Sequence, residues 1–122
     1  MIFIVDDDRE FAECIARQVR AFCDEKVEIF SNGIEAISAI DEEVPKLILL
    51  DILLDGPDGF TFLNELMSYS DTEKIPVVVM SSLKLNAKKL KNYGVVGVLD
   101  KAEMTPMDLR EIVEKYTGRM PK

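Results

Sequence analysis

The sequence lacks several things that other protein classes depend on. It has two cysteines, no histidine, no tryptophan and no long apolar run among its 122 residues. Cys14 and Cys23 form no CxxC pair, and on one helix their spacing of nine would put them on opposite faces. Incidental thiols in a reducing compartment fit better than a disulfide or a metal site. Basic charge is also scarce: 15 Lys and Arg stand against 23 Asp and Glu, a net charge of -8. Nonspecific nucleic-acid binding draws on a basic surface, so no direct nucleic-acid partner is expected. No stretch approaches a membrane span, so no membrane partner is expected either. The opening MIFIV is too short for a signal-peptide core and has no basic leader, which suits a cytoplasmic protein. Linkers, low-complexity tracts and repeats are absent too, so residues 1–122 are expected to form a single domain.

What is present is an alternation. Hydrophobic residues make up 48% and charged residues 31%, the balance of a soluble globular chain. Short apolar runs occur at 2–5 (IFIV), 27–30 (VEIF), 47–50 (LILL), 75–80 (IPVVVM) and 95–99 (VVGVL). Continuous branched runs suit strands buried on both faces, and the alternating VEIF suits an edge strand. Helical spacing links Phe11, Ile15, Val19 and Phe22; Ile34 and Ile37, with Ile40 a further candidate; Phe62, Leu63, Leu66 and Met67; Leu83, Ala87 and Leu90; and Leu109, Ile112, Val113 and Tyr116. Thr105 can cap the last of these, with Pro106 at its first position. Strand followed by helix, five times over, predicts an α/β domain with a parallel sheet covered on both faces.

In such sheets ligands bind beyond the carboxyl ends of the strands. Those ends carry Asp6, Asp7 and Asp8 after the first run, Asp51 after the third, Ser81 and Ser82 after the fourth, and Asp100 and Lys101 after the fifth. Two like charges about 4 Å apart repel by about 4 kcal/mol at an effective dielectric of 20. Clustered carboxylates therefore need a cation, and hard oxygen donors favour Mg2+. Lys101 adds a positive charge and Ser81 a hydroxyl, so a small anionic group, a phosphoryl, would fit beside the metal.

With these motifs the chain resembles the receiver domain of two-component response regulators. The likeness rests on IVDD at 4–7, LLD at 49–51, the spaced D…DG at 51–59, PVVVMSS at 76–82 and DK at 100–101. It covers essentially the whole chain. The resemblance implies a flavodoxin-like, doubly wound five-stranded parallel sheet of order 2-1-3-4-5 with five helices. It implies that Asp51 is the phosphoacceptor, attacking a phosphohistidine on a sensor histidine kinase or phosphotransfer protein. Asp6, Asp7, Asp51 and the backbone carbonyl of Leu53 would hold Mg2+, with Asp6 acting mainly through a water. Ser81 and Lys101 would contact the phosphoryl group, and a downstream output domain or target protein would read the change. Without histidine the chain cannot itself carry the phosphohistidine, so it reads as a receiver and not as a donor.

Several positions depart from that family's pattern. Asp55 stands where proline is usual, Ala102 where a proline follows the lysine, and Val98 where the fifth strand often has an aromatic. Leu53 and Leu83 offer no group to orient water on an acyl phosphate, which predicts a long-lived phosphoryl group. These departures keep a second function in view, a degenerate receiver acting as a phosphorylation-independent interaction module. An aspartyl-phosphate phosphatase is disfavoured because Leu53 replaces the acid/base carboxylate that class generally needs. A flavin-binding protein is disfavoured because Asp6, Asp7 and Asp8 would repel the cofactor's phosphate. Asp58 and Gly59 read as a turn and cap entering a helix. Lys84, Lys88 and Lys91 form a stripe that could dock an acidic partner or simply face solvent.

Overall fold

The apolar runs become strands because both faces of the sheet are covered. In a computed structural model, residues 1–52, 59–82 and 87–118 are described. The strands are β1 (Ile2–Val5), β2 (Val27–Phe30), β3 (Leu47–Asp51), β4 (Val77–Ser81) and β5 (Val95–Asp100). They form one sheet in the order β2-β1-β3-β4-β5, with every pairing parallel. The alternating run VEIF is indeed at an edge.

Side chains on the central strands alternate between two cores. Phe3, Val5, Ile48, Leu50, Val77 and Val79 point to one face. Ile2, Ile4, Leu47, Leu49, Val78 and Met80 point to the other. Helices α2 (Gly33–Glu42) and α3 (Gly59–Met67) cover the first face through Ala36, Ile40, Phe62, Leu63 and Leu66, joined by Leu90 of α4 (Ala87–Lys91). Helices α1 (Arg9–Phe22) and α5 (Pro106–Thr117) cover the second through Ala12, Ile15, Ala16, Val19, Leu109 and Val113. Four helices run nine residues or more, whereas α4 has five. The periodicity predicts that helix from Leu83 onward; Leu83 and Lys84 lie outside the described residues, and the helix that is described begins at Ala87.

Local chemistry sets the helix ends. Asp8 caps α1 by accepting from the Phe11 N–H at 3.1 Å. Thr105 and Asp108 form a reciprocal capping box on α5, whose first residue is Pro106. Gly59 sits against the end of β3: its N–H donates to the Ile52 carbonyl at 3.0 Å, and an added Cβ would lie 2.6 Å from Ile52 Cα. No larger residue fits there without moving backbone.

The β4–β5 pairing carries one irregularity. Val77 pairs with Val95 but Val78 pairs with Gly97, which leaves Val96 as an extra residue, 45% exposed. Above it the register runs unbroken to Ser81 opposite Asp100. Cys14 is exposed and Cys23 buried, both as free thiols. No helix among the described residues is long and apolar enough to cross a membrane.

Candidate functional site

The carboxyl ends of β1, β3, β4 and β5 bring the chemistry together. Asp6 follows β1 directly, Asp51 and Ser81 are the last residues of β3 and β4, and Lys101 follows β5. Parallel pairing places these ends on one rim: Asp51 is opposite Met80, and Ser81 is opposite Asp100. The main chain ties the last two together, since the Lys101 N–H donates to the Ser81 carbonyl at 2.8 Å.

Among the described residues three polar side chains are buried in an otherwise apolar interior: Asp6 at 0%, Ser81 at 1% and Asp51 at 6% exposure. Buried polar groups of this kind are costly unless paired. Lys101 supplies the pairing. Its Nζ lies 2.8 Å from Asp6 Oδ2 and 3.3 Å from Asp51 Oδ2, bridging the two carboxylates. Asp6 Oδ1 accepts from the Asp8 N–H at 2.9 Å. The acidic triplet is thus divided. Asp6 belongs to the pit, Asp7 lies exposed at its mouth, and Asp8 serves as the helix cap.

The electrostatics follow from burial. Desolvation raises the Asp6 pKa, and the Lys101 ammonium and the Asp8 N–H only partly offset it. For Lys101 burial works downward, but contacts with Asp6 and then Asp51 outweigh it, so its pKa is raised and the ammonium is firmly protonated.

The donor set fits a hard cation. Asp6, Asp7 and Asp51 each offer a carboxylate oxygen, and these atoms lie within 4.8 Å of one another. Asp6 Oδ2 is also buried without an aligned hydrogen bond, its contact with Lys101 being an ion pair only. Three carboxylates against one ammonium leave a deficit of two positive charges, which one divalent ion would make good.

Of the residues singled out in the sequence, Asp6, Asp7, Asp51, Ser81 and Lys101 converge on this rim. Leu53, Asp55 and Asp58 lie outside the described residues. Val98 is half-buried on β5 opposite Val79. At Ala102 the structure gives the departure a physical meaning. Its N–H donates to Asp100 Oδ1 at 2.8 Å, while the Asp100 carbonyl accepts from Met104 at 2.8 Å. A proline at 102 could not make the first of these bonds.

One contact escapes the sequence pattern. Phe11 belongs by periodicity to the buried stripe of α1, yet its ring centroid lies 4.4 Å from Lys101 Nζ. The usable signal is position: a first-turn residue, five after Asp6, stands at the strand-end rim as well as over the core.

Comparisons with known proteins agree with this geometry. The family profile described as response regulator receiver domain matches residues 2–115. Response regulator Rre1 of Synechocystis sp. is 26% identical over 120 residues, covering 97% of this chain and 52% of that protein. Response regulator MprA of Mycobacterium avium is 31% identical over 81 residues, covering 66% of this chain and 34% of that protein. The chain therefore spans between a third and about half of the length of these curated relatives. Among solved structures, the receiver domain of sensor histidine kinase PA1611 from Pseudomonas aeruginosa superposes with a TM-score of 0.82 at 20% identity, covering 97% of each chain. In that structure a magnesium ion is coordinated in the active-site cleft.

Proposed function

The chain belongs to the response regulator receiver family, and from that premise we propose that Asp51 is its phosphoacceptor. The observation that carries this reading is the buried pair Asp6 and Asp51 bridged by Lys101, with Ser81 on the adjoining strand end. Asp51 closes a buried strand with its Oδ2 3.3 Å from the Lys101 ammonium, which places a carboxylate nucleophile beside a cation that can meet an incoming phosphoryl group.

An Asp51 carboxylate oxygen attacks the phosphorus of a phosphohistidine on a sensor histidine kinase or phosphotransfer protein. The O–P bond forms as the P–N bond breaks. The electron pair goes to the imidazole nitrogen, which is left as neutral histidine once protonation is adjusted with solvent. Lys101 follows the charge as it spreads over the phosphoryl oxygens, and the Ser81 hydroxyl donates to one of them. Asp6, Asp7 and Asp51 would hold Mg2+, together with the Leu53 carbonyl, which lies outside the described residues. When bound, the metal supplies positive charge beside the acceptor oxygen and the incoming group.

The result is a switch and not a turnover enzyme. Moving Lys101 and Ser81 onto the phosphoryl group shifts a pre-existing equilibrium, and an output domain or target protein reads it. A net charge of -8 suits a cytoplasmic receiver whose partners are proteins rather than nucleic acid. Intact mass after acetyl phosphate with Mg2+ tests the reading. One phosphoryl adduct on the wild type and none on Asp51→Asn is expected. A wild type that gains no adduct overturns it in favour of a phosphorylation-independent interaction module.

A further inference from the structure

Lysine is a compact charge on a flexible four-carbon stem, with no planar fork to fix its direction. What holds Lys101 is its surroundings, and among the described residues three groups touch its ammonium: Asp6 Oδ2, Asp51 Oδ2 and the face of Phe11. The two carboxylates are the oxygens that a cation and a phosphoryl group would engage. The ring is different. It carries no net charge, does not titrate, and competes for neither ligand.

On the reading that Asp51 accepts the phosphoryl group, we propose that Phe11 is the positioning residue for Lys101, its ring face keeping the ammonium over the pit when the carboxylates are engaged. The centroid distance of 4.4 Å is well inside the roughly 6 Å reach of a cation–π contact. The Lys101 side chain is 16% exposed, so little water screens the contact. The ring is itself anchored. The Phe11 N–H donates to the Asp8 cap, and the side chain packs partly buried against the core shared by α1 and α5. With only the carboxylates to hold it, the lysine would be free to swing into solvent after they turned to the cation and before the phosphoryl group arrived. With the ring it has one holder that persists through the reaction.

The alternative is that Phe11 only packs against the lysine stem. Shape and electronics separate the two. Replacing Phe11 with 4-fluoro-, 3,5-difluoro- and 3,4,5-trifluorophenylalanine nearly preserves shape and drains the negative ring face stepwise. The rate constant for phosphoryl uptake from acetyl phosphate should fall stepwise, by about 3- to 10-fold at the trifluoro ring. In metal-free protein without phosphodonor, NMR should show the Lys101 ε-methylene protons shifted upfield by the ring, and relaxing towards ordinary values along the series and in Phe11→Leu. A flat rate series in a protein that does phosphorylate overturns the proposal and leaves the function standing. Lys101 resonances indifferent to Phe11→Leu overturn it as well. A wild type that takes up no phosphoryl group fails at the Asp51 step, and the role of Phe11 falls with it.

Discussion

Removing the Lys101 ammonium should make stability depend on pH in a defined direction. Lys101→Met keeps an unbranched stem beneath Phe11 and deletes the charge. Asp6 Oδ2 then loses a counter-charge at 2.8 Å and Asp51 Oδ2 one at 3.3 Å. At an effective dielectric of 20 each contact amounts to about 5–6 kcal/mol gross. The net loss is smaller, because a buried carboxylate without its partner takes up a proton. Protonating one carboxyl at pH 7 costs about 4 kcal/mol from its ordinary value of 3.8, and about 1.4 less for each unit of lower pH. The variant should therefore lose about 3–4 kcal/mol at pH 7 and under about 2 at pH 5. The sign follows from proton counting. Burial already raises the Asp6 pKa, and without the ammonium the folded state holds a proton that the unfolded chain has released. Stability then falls as pH rises through that window, by at most about 1.4 kcal/mol per unit for one proton. Urea unfolding in EDTA at pH 5, 6 and 7 measures it, with far-UV circular dichroism because the chain has no tryptophan. A difference from wild type that is the same at pH 5 and pH 7, or below about 1 kcal/mol at pH 7, would refute Lys101 as the counter-ion of the pit.

Other perturbations probe the surrounding frame. Gly59→Ala should lower the unfolding free energy by about 1–3 kcal/mol in the same urea assay, since its Cβ would meet Ile52 backbone atoms at 2.6 and 2.7 Å. Ala102→Pro removes the donor to Asp100 Oδ1 and should cost about 1 kcal/mol in the same assay; a neutral result would show that the turn does not depend on that bond. Phosphoryl decay, followed by mass after removing the donor, should be slow in wild type and faster in Leu53→Asn; the reverse order would show that apolar flanks do not protect the acyl phosphate.

The parts legible in the sequence were those carried by local pattern. Asp6, Asp51 and Ser81 each close an apolar run and Lys101 follows one by a single residue, and a parallel sheet turns that shared position along the chain into proximity in space. Thr105 and Pro106 announced their helix start because capping is chemistry between near neighbours. Pattern alone could not separate the three aspartates. All follow β1, yet Asp6 is buried, Asp7 is exposed and Asp8 caps a helix, differences that arise only when α1 docks. The Phe11–Lys101 contact joins residues 90 apart in sequence, so no window of the chain contains it. The bulge at Val96 was equally hidden, because VVGVL reads as one uninterrupted strand.

That bulge has a mechanical consequence for the rim. Val96 is slack in the chain, taken up at the foot of β5, while four consecutive pairs from Val78 with Gly97 to Ser81 with Asp100 lock the top. Deleting Val96 would simply join Val95 to Gly97, whose partners Val77 and Val78 are already adjacent. A change of one residue at the foot is therefore absorbed before it reaches Lys101. The same change above Gly97 would slide the lysine by about 3.3 Å and turn its side chain to the other face of the sheet. The connection entering β5 is thus free to vary in length, while the four residues beneath Lys101 act as a fixed gauge for the site.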